Sequence, residues 1–225
     1  DGRFNDFRML SEANLGVNKT NYYVTRKIAD EVFIGKDGDI TGTLSIAYTN
    51  DSPSSWPGGP YVNYLRILFP QQTTLTKIAI DGQEVSLQSP EATAAGGQSS
   101  ISVLGRTTRA KEEANAPALI EVEEATQSGK SVFGFLLKIP SRSSKEVSIS
   151  YQLGKQFPIL PGSTTYTYVF QKQPGVEGDP LAVTLQYPQT LKIRNTNAQT
   201  FKEKQVVTLS TDLAEDRLFE VEFLR

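Results

Sequence analysis

Apolar and polar residues alternate along most of the chain. Leu44, Ile46 and Tyr48 fall on one phase, and Thr43, Ser45 and Ala47 on the other. This two-residue period belongs to a strand with one buried face. The same alternation runs through "YVNYLRILFP" at 61–70 and through 143–151, where Val147, Ile149 and Tyr151 share a phase. "NYYVTRKIADEVFI", "LTKIAIDGQEVSL", "ALIEVEEA", "KSVFGFLLKIP", "TTYTYVFQKQ", "LAVTLQYP", "LKIRN", "KQVVTLST" and "RLFEVEFLR" read as further strands by composition. Asp37-Gly38 and Asp81-Gly82 each separate two such runs, a strong hairpin signal. Short strands at roughly 8–12 residue spacing predict an all-β protein, an antiparallel β-sandwich of immunoglobulin-like or related type.

Three segments break the pattern. In "FNDFRMLSEANLG", Phe4, Phe7 and Leu10 recur every third residue and Gly16 follows, which predicts a short N-terminal helix or linker over 1–18. Residues 88–116 are small and polar, and predict a mobile excursion with at most one short strand at Ile101–Leu104. "GKQFPILPGST" is dense in Pro and Gly and marks an internal boundary. The expected organisation is a main sandwich over 19–153 and a C-terminal β-subdomain over 163–225. One large sandwich is the alternative.

Composition removes chemistries. The 23 Lys and Arg nearly balance 25 Asp and Glu, with no basic block, which argues against nucleic acid as a partner. No apolar run is long enough for a transmembrane helix, so no direct membrane insertion is expected. The chain has neither Cys nor His. That excludes disulfides, thiolate nucleophiles, Ser-His-Asp triads and His- or Cys-liganded metals, and neither metal site nor cofactor is expected. Carboxylates remain, at Asp37, Asp39, Glu121, Glu123, Glu124, Glu177 and Asp179, but no pair stands out as a glycosidase dyad. "KDGDITG" lacks the Glu a calcium loop needs, since Tyr48 occupies the twelfth position from Asp37. No catalytic residue is assigned. Asn18-Lys19-Thr20 and Asn50-Asp51-Ser52 match the glycosylation pattern, and Lys27 is a weak candidate for an isopeptide crosslink.

"SSWPGGPY" at 54–61 holds the chain's single Trp. Trp56 and Tyr61 are the candidate ligand-binding residues, as an aromatic platform on a backbone fixed by Pro57 and Pro60. The weightier reading is a structural corner, in which Gly58-Gly59 reverses the chain and Trp56 folds back to cap the core.

Four phrases in order, "NLGVNKTNYYV", "WPGGPYVNYLRILFP", "KSVFGFLLKIPSRSSKEVSISY" and "VFQKQPGVEGDPLAVTLQYP", resemble the C-terminal region of a bacterial domain-of-unknown-function family, the one numbered four thousand and twelve. The resemblance implies a single-span envelope protein with its bulk outside the membrane and an anchor upstream of Asp1. Some members are encoded near surface-polysaccharide genes. The family brings no catalytic residue. The expected function is an extracytoplasmic, non-catalytic binding or scaffolding module of the cell envelope, engaging envelope glycan or a partner protein. A structural spacer and a carboxylate enzyme acting on polysaccharide are the alternatives.

Overall fold

A computed structural model describes residues 2–88, 119–201 and 205–225. Nearly all of the excursion expected at 88–116, with its strand at 101–104, lies outside the described residues. The strands are β1 (Gly2–Asn14), β2 (Val24–Ile34), β3 (Ile40–Asn50), β4 (Tyr61–Pro70), β5 (Thr74–Ile80), β6 (Gln83–Glu84), β7 (Ser86–Gln88), β8 (Leu119–Glu121) and β9 (Glu123–Gln127). They continue with β10 (Lys130–Ile139), β11 (Ser143–Gln152), β12 (Ser163–Gln171), β13 (Pro180–Gln186), β14 (Lys192–Thr196), β15 (Gln199–Phe201), β16 (Val206–Asp212) and β17 (Arg217–Leu224).

Two sheets pack face to face. One runs β14-β17-β12-β1-β4-β10-β9, the other β15-β16-β13-β2-β3-β11-β5-β6, and β7 and β8 pair separately. Most neighbours are antiparallel, but β1 pairs with β12 and β2 with β13 in parallel. Through these two pairs the strands of 163–225 extend both sheets, so among the described residues that region forms no sheets of its own. Its Tyr166, Phe219 and Val183 share one buried cluster with Ile46, Leu65 and Val147.

The N-terminal helix is absent. Residues 2–14 form a central strand of the first sheet, between β12 and β4. The inward phase of β1 is Phe4, Asp6, Arg8, Leu10 and Glu12, three charged residues among two apolar ones. The period of two is intact in geometry but hidden from a hydrophobic reading. A single short 3₁₀ turn, Thr20–Tyr23, is the helical element among the described residues. No helix there is long and apolar enough to cross a membrane.

Elsewhere the alternation was legible. Leu44, Ile46, Tyr48, Val147, Ile149 and Tyr151 are all buried. Both Asp-Gly turns close hairpins, and Asp81 and Gly82 both take positive φ, as a type I′ turn requires. Gly42 has a different role. Tyr151 lies opposite it on the neighbouring strand, and a Cβ at 42 would stand 2.2 Å from the Tyr151 hydroxyl. Only glycine lets that ring lie flat across β3 and reach the interior.

Candidate ligand-binding site

The inward charges build two polar centres between the sheets. The first is fully enclosed. Arg8 bonds Asp6 and places Nε 2.9 Å from Asp30 Oδ2, an ion-pair approach off the line of a hydrogen bond. The guanidinium also lies over the rings of Tyr151, Phe69 and Tyr168, 4.3, 4.7 and 5.4 Å from their centroids. Three hydroxyls complete the carboxylates: Tyr151 and Tyr168 donate to Asp30 at 2.8 and 2.7 Å, and Tyr166 donates to Asp6 at 2.6 Å. Burial would pull the Arg8 guanidinium down, but Asp6, the tyrosines and Asp30 outweigh it and hold it above its ordinary value. Burial pushes the Asp30 carboxyl up, against the opposing pull of Arg8. In this centre one cation thus stands among two carboxylates, and the tyrosine hydroxyls supply the remaining donors. Its groups are committed to each other, so it serves the fold.

The second centre opens to solvent. Glu12, whose side chain is 3% exposed, accepts from Tyr48 at 2.6 Å, from Asn63 at 2.8 Å and from Arg26. Arg26 Nε also approaches Asp179 Oδ2 at 3.0 Å, so one guanidinium bridges two carboxylates. Burial raises the Asp179 carboxyl, with Arg26 opposing. Gln173 pins the adjoining turn: its amide accepts from Glu12 N at 2.8 Å and donates to Glu12 O at 3.0 Å, continuing the β1 ladder where β12 ends. Glu12, Arg26 and Gln173 line a cavity of about 270 Å³ with Asn14, Asn21, Val24, Tyr61 and the turn at Pro174–Val176. Tyr61 is 4% exposed, burial raises its phenol, and its hydroxyl makes no hydrogen bond among the described residues.

The loops at the same pole of the sandwich, 15–23 and 51–60, are tied together. Lys19 N donates to Pro57 O at 2.8 Å, Asn18 Nδ2 donates to Pro60 O at 3.0 Å, and Thr20 Oγ1 donates to Gly59 O at 3.2 Å. Gly59, at φ +127°, also receives Asn50 Nδ2 and Ser52 Oγ on its carbonyl. Asn50 is fully buried and reaches the carbonyls of Ile139 and Pro140 as well, each at 3.1 Å. On this fixed backbone, with a cis Trp56-Pro57 bond, Trp56 is 74% exposed. Leu15, Val17 and Tyr22 of the neighbouring loop are also exposed.

The corner reading is thus half right. The segment turns as its Pro and Gly predict, but Trp56 does not cap the core, because buried Asn, Ser and Thr side chains fill the turn in its place. The two candidate residues part company: Trp56 is on the outside and Tyr61 lines the cavity, so they do not form one platform. Asp37, Glu121, Glu123, Glu124 and Glu177 are exposed, with Tyr64 donating to Glu123. Of the carboxylates singled out, Asp179 alone joins one of the two polar centres. Among the described residues no group of three or more carboxylates lies close enough to hold a metal ion. Lys27 is exposed on β2. Asn50 and Asn18 use their amides inside the loop network, which accounts for both sequence matches structurally. Asp6, Arg8, Glu12, Arg26 and Asp30 were missed, and the signal for them was a charge on the inward phase of an alternating run.

No family model matches the sequence, and no curated protein matches it. Three of the solved structures that share a distant likeness of shape serve as examples. Leukotriene A4 hydrolase from Saccharomyces cerevisiae aligns over 93% of this chain and 30% of its own, with TM-score 0.47 and 8% identity. A putative nutrient binding protein from Legionella pneumophila aligns over 97% and 71%, with TM-score 0.46 and 7% identity. An M1 zinc metallopeptidase from Deinococcus radiodurans aligns over 88% and 42%, with TM-score 0.36 and 12% identity. The chain spans less than a third of the yeast enzyme, and likenesses this distant carry no functional argument.

Proposed function

We propose that this chain is a non-catalytic binding module of a bacterial envelope protein, held outside the cytoplasm by an anchor elsewhere in its parent, and that it contacts envelope glycan through the pole bearing Trp56. One observation carries the reading: an indole 74% exposed on a loop whose backbone is bonded from beneath by buried Asn50, Ser52 and Thr20. A rigid exposed aromatic costs little ordering entropy on binding and offers a flat apolar face to the C–H side of a sugar. The envelope address rests on the sequence resemblance alone.

The test is retention on purified peptidoglycan sacculi and capsular polysaccharide. Wild-type protein should be retained and Trp56→Ala lost, at matched melting temperatures. Equal retention of both proteins would remove this surface from the reading. No retention of wild type would leave the spacer role.

A further inference from the structure

The exposed loop gives the module a contact surface but no selectivity. Of the described cavities, the one at the same pole has the features of a recognition site, and this inference rests on the binding reading above. We infer that the cavity between Tyr61, Arg26 and Asn21 is a subsite for a single neutral, polyhydroxylated ring, a pyranose of the bound glycan.

Size comes first. At about 270 Å³ the cavity lies just below the range of roughly 300–1,000 Å³ that takes drug-sized ligands, so it suits one ring, not a chain. Charge comes second. Arg26 already faces Glu12 and Asp179, one cation against two anions. A phosphate, sulfate or uronate would meet surplus negative charge. An ammonium fares no better at Glu12, whose oxygens already accept from Tyr48, Asn63 and Arg26. What remains to a ligand are hydrogen bonds from neutral groups and from the guanidinium edge.

The third observation is Tyr61. Its ring is buried, at 4% exposure for the residue, while its hydroxyl opens to the cavity and has no hydrogen-bond partner among the described residues. Its hydroxyl can donate to or accept from a sugar hydroxyl. Asn21, likewise without a side-chain hydrogen bond among the described residues, lines the same cavity with both a donor and an acceptor. Sugars present hydroxyls that donate and accept in turn, which matches this pairing. Asn14 and Gln173 are different: their amides are bonded to the chain, so they shape the wall.

The experiment measures affinities of the full chain for methyl glycosides of glucose, galactose, mannose and N-acetylglucosamine by saturation-transfer NMR. Glucose 6-phosphate and glucosamine serve as charged controls. At least one neutral glycoside should bind. Tyr61→Phe, which removes one unpartnered hydroxyl, should weaken it roughly three- to tenfold with an unchanged melting temperature. Asn21→Ala, on an exposed turn, provides a second variant with little risk to folding. Unchanged affinity in Tyr61→Phe, or tighter binding of glucose 6-phosphate, would overturn the subsite. If polymer is retained through Trp56 but no glycoside binds, the subsite fails and the binding reading stands. If neither polymer nor glycoside binds, both fail.

Discussion

Arg8 of β1 and Asp30 of β2 meet at the centre of the sandwich, Nε to Oδ2 at 2.9 Å, with both side chains wholly buried. They belong to opposite sheets, so this pair and its tyrosine shell join the two layers through charge as well as apolar packing. Desolvating such groups costs several kcal/mol each, and their mutual attraction offsets it only when every partner is present.

Arg8→Leu should therefore be severe. It would leave Asp6 and Asp30 facing each other's field with no cation, at a cost of about 3–5 kcal/mol. Urea unfolding would read this as a lower midpoint with an unchanged slope. Adding Asp6→Asn and Asp30→Asn to Arg8→Leu should recover much of the loss, because no uncompensated charge remains. A single-variant loss below about 1 kcal/mol would show that the centre is idle.

The pH dependence follows from the raised Asp30 carboxyl. In the unfolded chain an Asp loses its proton near pH 3.9. In the native state Asp30 holds it to higher pH. Between those two values the native state binds more protons, so stability from this group falls as pH rises. Wild type should hold its greatest advantage over Asp30→Asn near pH 4, and lose part of it toward neutrality. Paired unfolding curves across that range check the sign, and an advantage that grows with pH would contradict it.

The same centre explains what was legible in the sequence. Strands such as β3 and β11 announce themselves because their inward phases are Leu44, Ile46, Tyr48 and Val147, Ile149, Tyr151. β1 does not, because Asp6, Arg8 and Glu12 occupy inward positions and leave Phe4, Phe7 and Leu10 to imitate a helical period. Sequence gave no hint that Arg8 would find its partners on β2, β11 and β12, more than twenty to more than a hundred and fifty residues away. The candidate site was half visible. Trp56 and Tyr61 stood out by type, but Glu12 and Arg26 looked like solvated charges until the topology brought β1, β2 and β4 together.

Trp56→Ala should be silent in stability. A side chain 74% exposed away from any buried network falls in the class of surface substitutions worth within about 0.5 kcal/mol, a shift of roughly 1–2 °C in a chain of this size. The native emission of this single indole should be red-shifted and readily quenched by iodide. A blue emission or a melting temperature several degrees lower would place the ring against the core.

Asn50→Ala should do the opposite, leaving the surface intact and undoing its support. The Asn50 amide donates to Gly59, Ile139 and Pro140, and its Oδ1 accepts from Ser52 N at 3.1 Å. Truncation leaves buried carbonyls short of a donor and an N–H without an acceptor, at a cost of about 1–3 kcal/mol. For this chain length that is a melting temperature lower by roughly 2–12 °C. The consequence should reach Trp56 although no atom of it has changed. With Asn50 gone, Ser52 and Thr20 still hold the Gly59 carbonyl, but the 51–60 loop loses its tie to β10 and the indole gains local motion on the nanosecond scale. Time-resolved anisotropy of the single Trp reads that motion directly, and Asn50→Ala should show a larger fast component than wild type at a temperature where both are folded. Asn50→Asp keeps the acceptor but turns a buried carboxylate toward three carbonyl oxygens, and should be at least as disruptive as Asn50→Ala. If Trp56 anisotropy is identical in all three proteins, the loop is rigid for another reason and Asn50 contributes to stability alone.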